Sequence, residues 1–530
     1  MSSDSNRPRS ARYFHMETLR RLIQAGFLVL FVYLFLCTIG RFDLKSMELR
    51  PVSAVPVDFF LRIDPLIGAA AMLAARKTIV TSILYGLPIV LLTAFFGRFF
   101  CGWICPLGAT LDAADHVFYR KRRKVLPDTR YKRVKYYLLA ALAVTAIFSA
   151  QAVYFFDPIS LLTRTMTFLF APAQVLLVSL SGIPWIGEKI GRNAFMPETQ
   201  LYYRMNLVGF LIFGGIVAAN AISRRFWCRN LCPLGALLGL LSKVSMMRRI
   251  VSGSCTECTL CARECKMAAI KENPREYDAP ECIYCYTCTR HCRPLATVIR
   301  PSIAPQGYSA DFSLNRRRVL QSSIIGLAWV AAAKTNVSAK RSRDSEVKTS
   351  SPQLIRPPNA LAEEEFLAKC TRCSECMKIC PTNGLQPALL EAGLEGIWTP
   401  LLVPRIGECT QKCNLCQMVC PTQAIEPFMI DEKTYTYLGT AVIDRSQCIA
   451  WNGDKECLVC DEACSYNAVL QKVENGVKHP YVKTEICTGC GICENVCPIQ
   501  PQAAIRVFSF GDKRHWSKEE RKRYRGKIES

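Results

Sequence analysis

Cys255-Thr256-Glu257-Cys258-Thr259-Leu260-Cys261-Ala262-Arg263-Glu264-Cys265 spaces four thiols as Cys-x2-Cys-x2-Cys-x3-Cys, the ligand run of bacterial iron-sulfur proteins. The run recurs at Cys282, Cys285, Cys288, Cys292, at Cys370, Cys373, Cys376, Cys380, and at Cys487, Cys490, Cys493, Cys497. Two stretched versions, Cys409, Cys413, Cys416, Cys420 and Cys448, Cys457, Cys460, Cys464, add one and six residues between the first two ligands. These six groups absorb 24 of the 29 cysteines and predict six [4Fe-4S] clusters in a protein that carries electrons. Proline follows the fourth ligand at Pro381, Pro421 and Pro498, while Lys266, Arg293 and Ser465 stand there in the other groups. Disulfides and zinc sites fit less well, because zinc usually shows two well-separated Cys-x2-Cys pairs.

Three cysteines at steps of three wrap one cubane, and the fourth points elsewhere, ligating the neighbouring cluster in two-cluster ferredoxins. One cluster is therefore expected on Cys255, Cys258, Cys261 and Cys292, and its neighbour on Cys282, Cys285, Cys288 and Cys265. Among the last four groups the reading favours pairing in sequence order, with first-with-fourth and second-with-third as the alternative.

The chain has 530 residues, is 50% apolar and has a positive mean hydropathy, which together predict a multi-domain membrane protein. Apolar stretches near 22–40, 78–97, 136–156 and 205–222 predict an α-helical four-span bundle. The net charge of +24 is concentrated beside these stretches, at Arg7 to Arg21, Arg120 to Lys135 and Arg224 to Arg229, so it reads as a topology determinant and not as a nucleic-acid surface. Both ends of the bundle, and the first two clusters, are thereby expected in the cytoplasm. The apolar segments 65–75 and 165–182 read as interfacial or re-entrant helices, with a fifth or sixth span as the competing reading.

Two segments repeat each other: Phe100-Cys101-Gly102-Trp103-Ile104-Cys105-Pro106-Leu107-Gly108-Ala109 and Trp227-Cys228-Arg229-Asn230-Leu231-Cys232-Pro233-Leu234-Gly235-Ala236. Each follows an even-numbered span, so a duplicated two-helix unit brings Cys101, Cys105, Cys228 and Cys232 to one membrane edge. A further metal or cluster site, redox-active thiols and structural packing all remain open for them. Cys37, alone in the first span, reads as core packing.

Asn315-Arg316-Arg317-Arg318-Val319-Leu320 precedes a short apolar run and Ala331-Ala332-Ala333, which reads as a Tat-type signal inside the chain. The competing reading is a basic linker and a buried helix, with the C-terminal half cytoplasmic. The expected domains are 1–250, the span bundle; 251–300, a two-cluster ferredoxin; 311–359, signal and tether; 360–510, an α+β ferredoxin-like module with four clusters; and 511–530, a basic tail. None of the five histidines lies mid-span, no Cys-x-x-Cys-His occurs, and no dinucleotide-binding glycine loop is present. Substrate chemistry is thus left to partners.

With its spans, its Cys101/Cys105 and Cys228/Cys232 repeats and two clusters, the segment 1–300 resembles the NapH/MauN family of membrane ferredoxins. Residues 311–510, with the twin arginine and four cluster motifs, resemble the NapG/MauM family of exported ferredoxins. The resemblance implies a quinol dehydrogenase of the bacterial inner membrane that takes electrons from the quinone pool. It implies delivery through periplasmic clusters to a reductase, such as nitrate reductase, or a cytochrome c. An accessory role in maturing or reactivating a periplasmic metalloenzyme, as in NosR-like and CcoG-like relatives, is the alternative. Quinol chemistry needs a proton acceptor, for which Asp112, Asp115 and His116, or Asp157 with Arg164, are candidates beside the plainer reading of helix caps and anchors.

Overall fold

A computed structural model describes residues 9–37, 40–43, 48–51, 56–118, 131–170, 172, 203–204, 206–302, 314–334, 353–453, 455–474 and 476–510. The chain divides into two compact units. One comprises Met1–Phe35, Phe59–Thr165 and Leu207–Val330; the other comprises Leu36–Asp58, Met166–Asn206 and Ala331–Ser530.

The first unit is built on an internal repeat longer than the cysteine motif alone. The first copy runs through the helices Arg9–Leu36, Pro65–Ala75, Val80–Phe96, Phe99–Trp103 and Pro106–Phe118. The second runs through Val134–Ile147, Pro158–Thr165, Asn206–Ala218, Phe226–Asn230 and Pro233–Leu241. An Asp-Pro pair opens the second helix of each copy, because an aspartate cap satisfies free N–H groups and proline is preset for the first turn. Asp64 accepts from the amides of Leu66 and Ile67 at 2.8 and 3.4 Å, and Asp157 from those of Ile159 and Ser160 at 3.1 and 2.8 Å.

Among the described residues only Met16–Leu36, with 21 residues, is long and apolar enough to cross a bilayer unaided. The expected second, third and fourth spans are shorter helices of 17, 14 and 13 residues. At 1.5 Å per residue they fall short of about 30 Å of hydrocarbon. The cause is local: Gly97 at φ +70° ends one, Ser149 at φ +57° follows another, and the 3-10 turn Ala219–Ala221 follows the last. Their flanks are nevertheless apolar and open, with Val80, Leu84, Leu207 and Leu211 each at least 61% exposed. Segment 65–75 forms a helix that is largely buried. Of 165–182, the residues Met166–Phe170 form a π-helical turn, and most of the rest lies outside the described residues.

A small lobe completes the first unit. Strands Met247–Val251 and Thr297–Pro301 pair antiparallel, and the helical turns Leu260–Arg263 and Thr287–Arg290 carry the third cysteines. The twin-arginine segment is a helix, Arg316–Lys334, packed on Val134–Ile147: the Asn315 amide donates to Tyr137 Oη at 3.2 Å and Trp329 meets Phe155 edge-on.

Helical turns and β-hairpins dominate the second unit. The hairpins pair Leu385–Pro387 with Pro400–Leu402 and Val469–Glu474 with Val477–Val482, and Thr440–Ile443 pairs with the distant Ile505–Phe508. Residues expected in the outer connections belong to this unit: Val57 packs on the Ile379, Leu415, Val419 core, and Arg204 reaches Glu391 at 3.4 Å. The tail 511–530 and most of the tether lie outside the described residues.

Candidate iron-sulfur sites

Each regular cysteine run is bent by two left-handed residues that flank its second cysteine. They are Glu257 and Thr259, Tyr284 and Tyr286, Arg372 and Ser374, and Gly489 and Gly491, with φ between 50° and 85°. Such turns aim successive N–H groups into a concavity suited to anions and iron-sulfur groups. The two stretched runs do without them: Asn414 and Leu458, after the second cysteine, have φ of −133° and −108°. Spacing alone gave no sign of this difference.

Three cavities show how the thiols converge. One of about 400 Å³ is lined by Cys282, Cys285, Cys288 and, from the other run, Cys265. Another of about 430 Å³ is lined by Cys409, Cys413, Cys416 and Cys380. The third, about 390 Å³, is lined by Cys448, Cys457, Cys460 and Cys497. The complementary cysteines agree with this crossing: Cys261 lies beside Cys292 and Cys255, Cys376 beside Cys373, Cys370 and Cys420 with Cys416 of the adjoining set next, and Cys464 beside Cys487 and Cys490. The last four groups thus pair in sequence order.

These pockets fit an iron-sulfur cluster. The donors are soft sulfurs in apolar surroundings, and burial pushes the Cys376, Cys416 and Cys493 thiols well above their ordinary range. Such thiols stay neutral until a metal replaces the proton. Among the described residues no three metal-binding side chains close in tightly enough for a single ion. A cubane, whose thiolates bind separate irons, asks for a wider set.

Within the second unit the sites follow one another. Cys380 lies beside Cys409, the Cys409 amide donates to Cys490 O at 2.8 Å, and Cys493 lies beside Cys460. The row starts at the Cys370 set, where Tyr203 lies beside Cys376 and Asp58 beside Cys420. It ends at the Cys448 set. Buried Lys433 donates to Cys413 O at 2.6 Å and faces Cys409, Cys413 and Cys416; although burial alone would depress its pKa, those sulfurs, once they carry thiolate charge, hold it above the usual lysine range.

In the first unit the Cys265/Cys282 pocket sits directly on the repeated motif. Trp103 Nε1 donates to Tyr284 O at 3.2 Å, and Arg98 donates to Pro280 O at 3.0 Å and to Glu281 at 3.1 Å. Lys135 and Tyr136 also hold Glu281. Cys101, Cys105, Cys228 and Cys232 come together here. Cys37 lies elsewhere, beside Lys378 in the second unit.

Of the proposed proton acceptors, Asp112 is committed to Arg225 and Lys266, Asp115 lies 3.8 Å from Arg224, and His116 is exposed. Arg164 turns to Tyr154 O. Asp157 instead lies beside Asp64, and both carboxyls are fully buried. Asp64 was missed in the sequence; the shared Asp-Pro signal could have found it.

A family described as 4Fe-4S binding domain matches residues 80–125 and 205–252, one match in each repeat. The ferredoxin-type protein NapG of Escherichia coli is 34% identical over 213 residues, covering 38% of this chain and 88% of that protein. The methylamine utilization ferredoxin-type proteins MauM of Methylorubrum extorquens and Paracoccus denitrificans are 30% and 34% identical, covering 37% and 31% of this chain and 90% and 75% of theirs. No solved structure matches. With crossed cysteine sets in its pockets and these relatives over much of their length, the chain belongs to the NapG/MauM family of ferredoxin-type iron-sulfur electron-transfer proteins.

Proposed function

We propose that this chain is a quinol dehydrogenase component of the bacterial inner membrane, fusing a NapH/MauN-type span bundle to a NapG/MauM-type module that works in the periplasm. The observation that carries the reading is the row of four cysteine sets whose first member lies against Tyr203 and Asp58, residues of the connections that charge assigns to the outer face. Six [4Fe-4S] clusters on the 24 cysteines, once bound, supply one-electron carriers. The cysteine runs bury and space them.

One quinol yields quinone, two protons and two electrons; the chain passes the electrons on singly to a periplasmic reductase, nitrate reductase for instance, or a cytochrome c. The Asp64–Asp157 pair is the buried group on the outer side able to exchange a proton. With the inside negative, each electron moved outward gains about 2.3 kcal/mol per 100 mV. A quinol analogue should bleach the clusters in sealed anaerobic membranes, and a periplasmic reductase should restore their colour. Failure of quinol, with fast reduction by cytoplasmic ferredoxin or flavodoxin, would instead establish the accessory reading, which the cytoplasmic placement of the Cys255 and Cys282 sets keeps open.

A further inference from the structure

Each repeat matched as a 4Fe-4S binding domain contains only two cysteines, Cys101 and Cys105 in one and Cys228 and Cys232 in the other. Neither copy can supply four thiolates. The fold brings the two pairs together: Cys105 lies beside Cys101 and Cys228, and Cys232 beside Cys228, Cys101 and Cys105. Cys232 caps the Pro233–Leu241 helix, its Sγ accepting from the Gly235 amide at 3.3 Å, and Cys105 takes the matching bond from Gly108. Both thiols thus end at helix N-termini, where negative charge is favoured.

Two arginines cross between the copies. Arg98 and Arg225 each stand three residues before the first cysteine of their motif, and they are 0% and 1% exposed. Arg225 donates to Cys101 O at 3.1 Å and Gly108 O at 3.2 Å in the other repeat. Arg98 reaches the opposite glycine: a Cβ on Gly235 would lie 2.6 Å from its Nη2. Arg98 faces Cys101 and Cys232, yet its Nε and Nη2 have no hydrogen-bond partner. Two unanswered donors on a fully buried cation call for an anion. A disulfide would bring none, and neutral packing thiols would leave both donors unmet. A single metal ion is not accommodated, as no tight ligand group occurs among the described residues.

We propose that Cys101, Cys105, Cys228 and Cys232 jointly hold one additional iron-sulfur cluster at the junction of the repeats, with Arg98 and Arg225 as its counter-charges. Four thiolates on an iron-sulfur core carry net negative charge, and the two guanidiniums lie beside a site in which Cys105, Cys228 and Cys232 are buried. The site abuts the Cys265/Cys282 pocket through Trp103 and Tyr284, and it stands whether or not quinol is the donor.

The test is metal analysis of the full chain, purified without oxygen. The C105A/C232A double variant should lose about four irons per chain against the parent and keep the signals of the Cys255 and Cys282 sets. Unchanged iron, or a reducible disulfide found by thiol counting in the denatured parent, would overturn the proposal. Should that variant not accumulate, R98Q decides: iron content holds, and a reduced-cluster signal belonging to neither the Cys255 nor the Cys282 set titrates at a more negative potential because a neighbouring positive charge is gone. No moved signal refutes the site. Neither readout involves turnover, so a failed quinol assay leaves this result intact.

Discussion

Arg225 reaches out of the second repeat to grip Asp112 of the first through two nitrogens, Nε to Oδ1 and Nη2 to Oδ2, both at 2.8 Å. Lys266 of the ferredoxin lobe adds a third contact to the same carboxylate at 2.8 Å. One side chain therefore ties together both repeats and the lobe. D112N strands these cations in a buried site and should destabilise the unit by about 3–5 kcal/mol, read as a lower temperature for loss of cluster absorbance in detergent. Burial alone would raise the Asp112 pKa, but Arg225 and Lys266 hold it far below the ordinary carboxylate range. A depressed folded pKa gives stability that is present above the unfolded value and lost only as pH falls through the folded one. Mild acid should leave the parent's docking intact.

The lobe docks where no side chain fits. A Cβ on Gly102 would lie 2.3 Å from Ile283 O, and one on Gly97, at φ +70°, 2.3 Å from the Tyr284 ring. Both obstacles belong to the segment between Cys282 and Cys285, so G102A must push the Cys265/Cys282 pocket off the repeat. Limited proteolysis should then cut the lobe faster than in the parent, with total iron little changed. Equal cleavage rates would mean that the contact does not hold the lobe.

Cys380 lines the cavity of Cys409, Cys413 and Cys416, not that of its own run. In reduced samples C380A and C413A should therefore lose the same paramagnetic signal, while C420A and C373A lose a different one. Ligation within each run gives the opposite pairing of variants.

Much of this was legible in spacing. The crossed fourth ligand follows from a three-residue step that points one thiol away, whereas connections of similar length, 381–408 and 421–447, left first-with-fourth and second-with-third pairing open beside sequence order. What spacing hid depends on tertiary approach. Asp64 and Asp157 are 93 residues apart and meet only because both repeats open a helix with Asp-Pro. The expected spans 136–156 and 205–222 outrun their helices because the apolar composition continues past Ser149 and Ala219, where the backbone turns. Arg225 read as a membrane-edge charge, and Arg98 carried no reading at all, until burial placed both beside the four thiols.

K433M should lower the midpoint potential of the Cys380/Cys409 site, because the cation that faces three of its cysteines also favours the more negative, reduced state. Redox titration followed by the signal that C413A removes would check it. An unmoved midpoint would show that solvent already screens the charge.

The twin-arginine helix bears on whether the chain stays whole. Gly326 lies so close to the Val134–Ile147 helix that an added Cβ would stand 2.6 Å from Ala141 O, the small-residue contact by which membrane helices approach. On the same helix Leu320, Ile324 and Ile325 are 64% exposed or more, an apolar flank suited to lipid. A signal destined for removal has no need of a fitted seat in the bundle. Mature membranes should therefore hold both halves on one uncleaved polypeptide, and G326L should loosen the helix and expose it to cleavage. A new N-terminus just past Ala333 in the parent protein would sink the idea of a retained anchor.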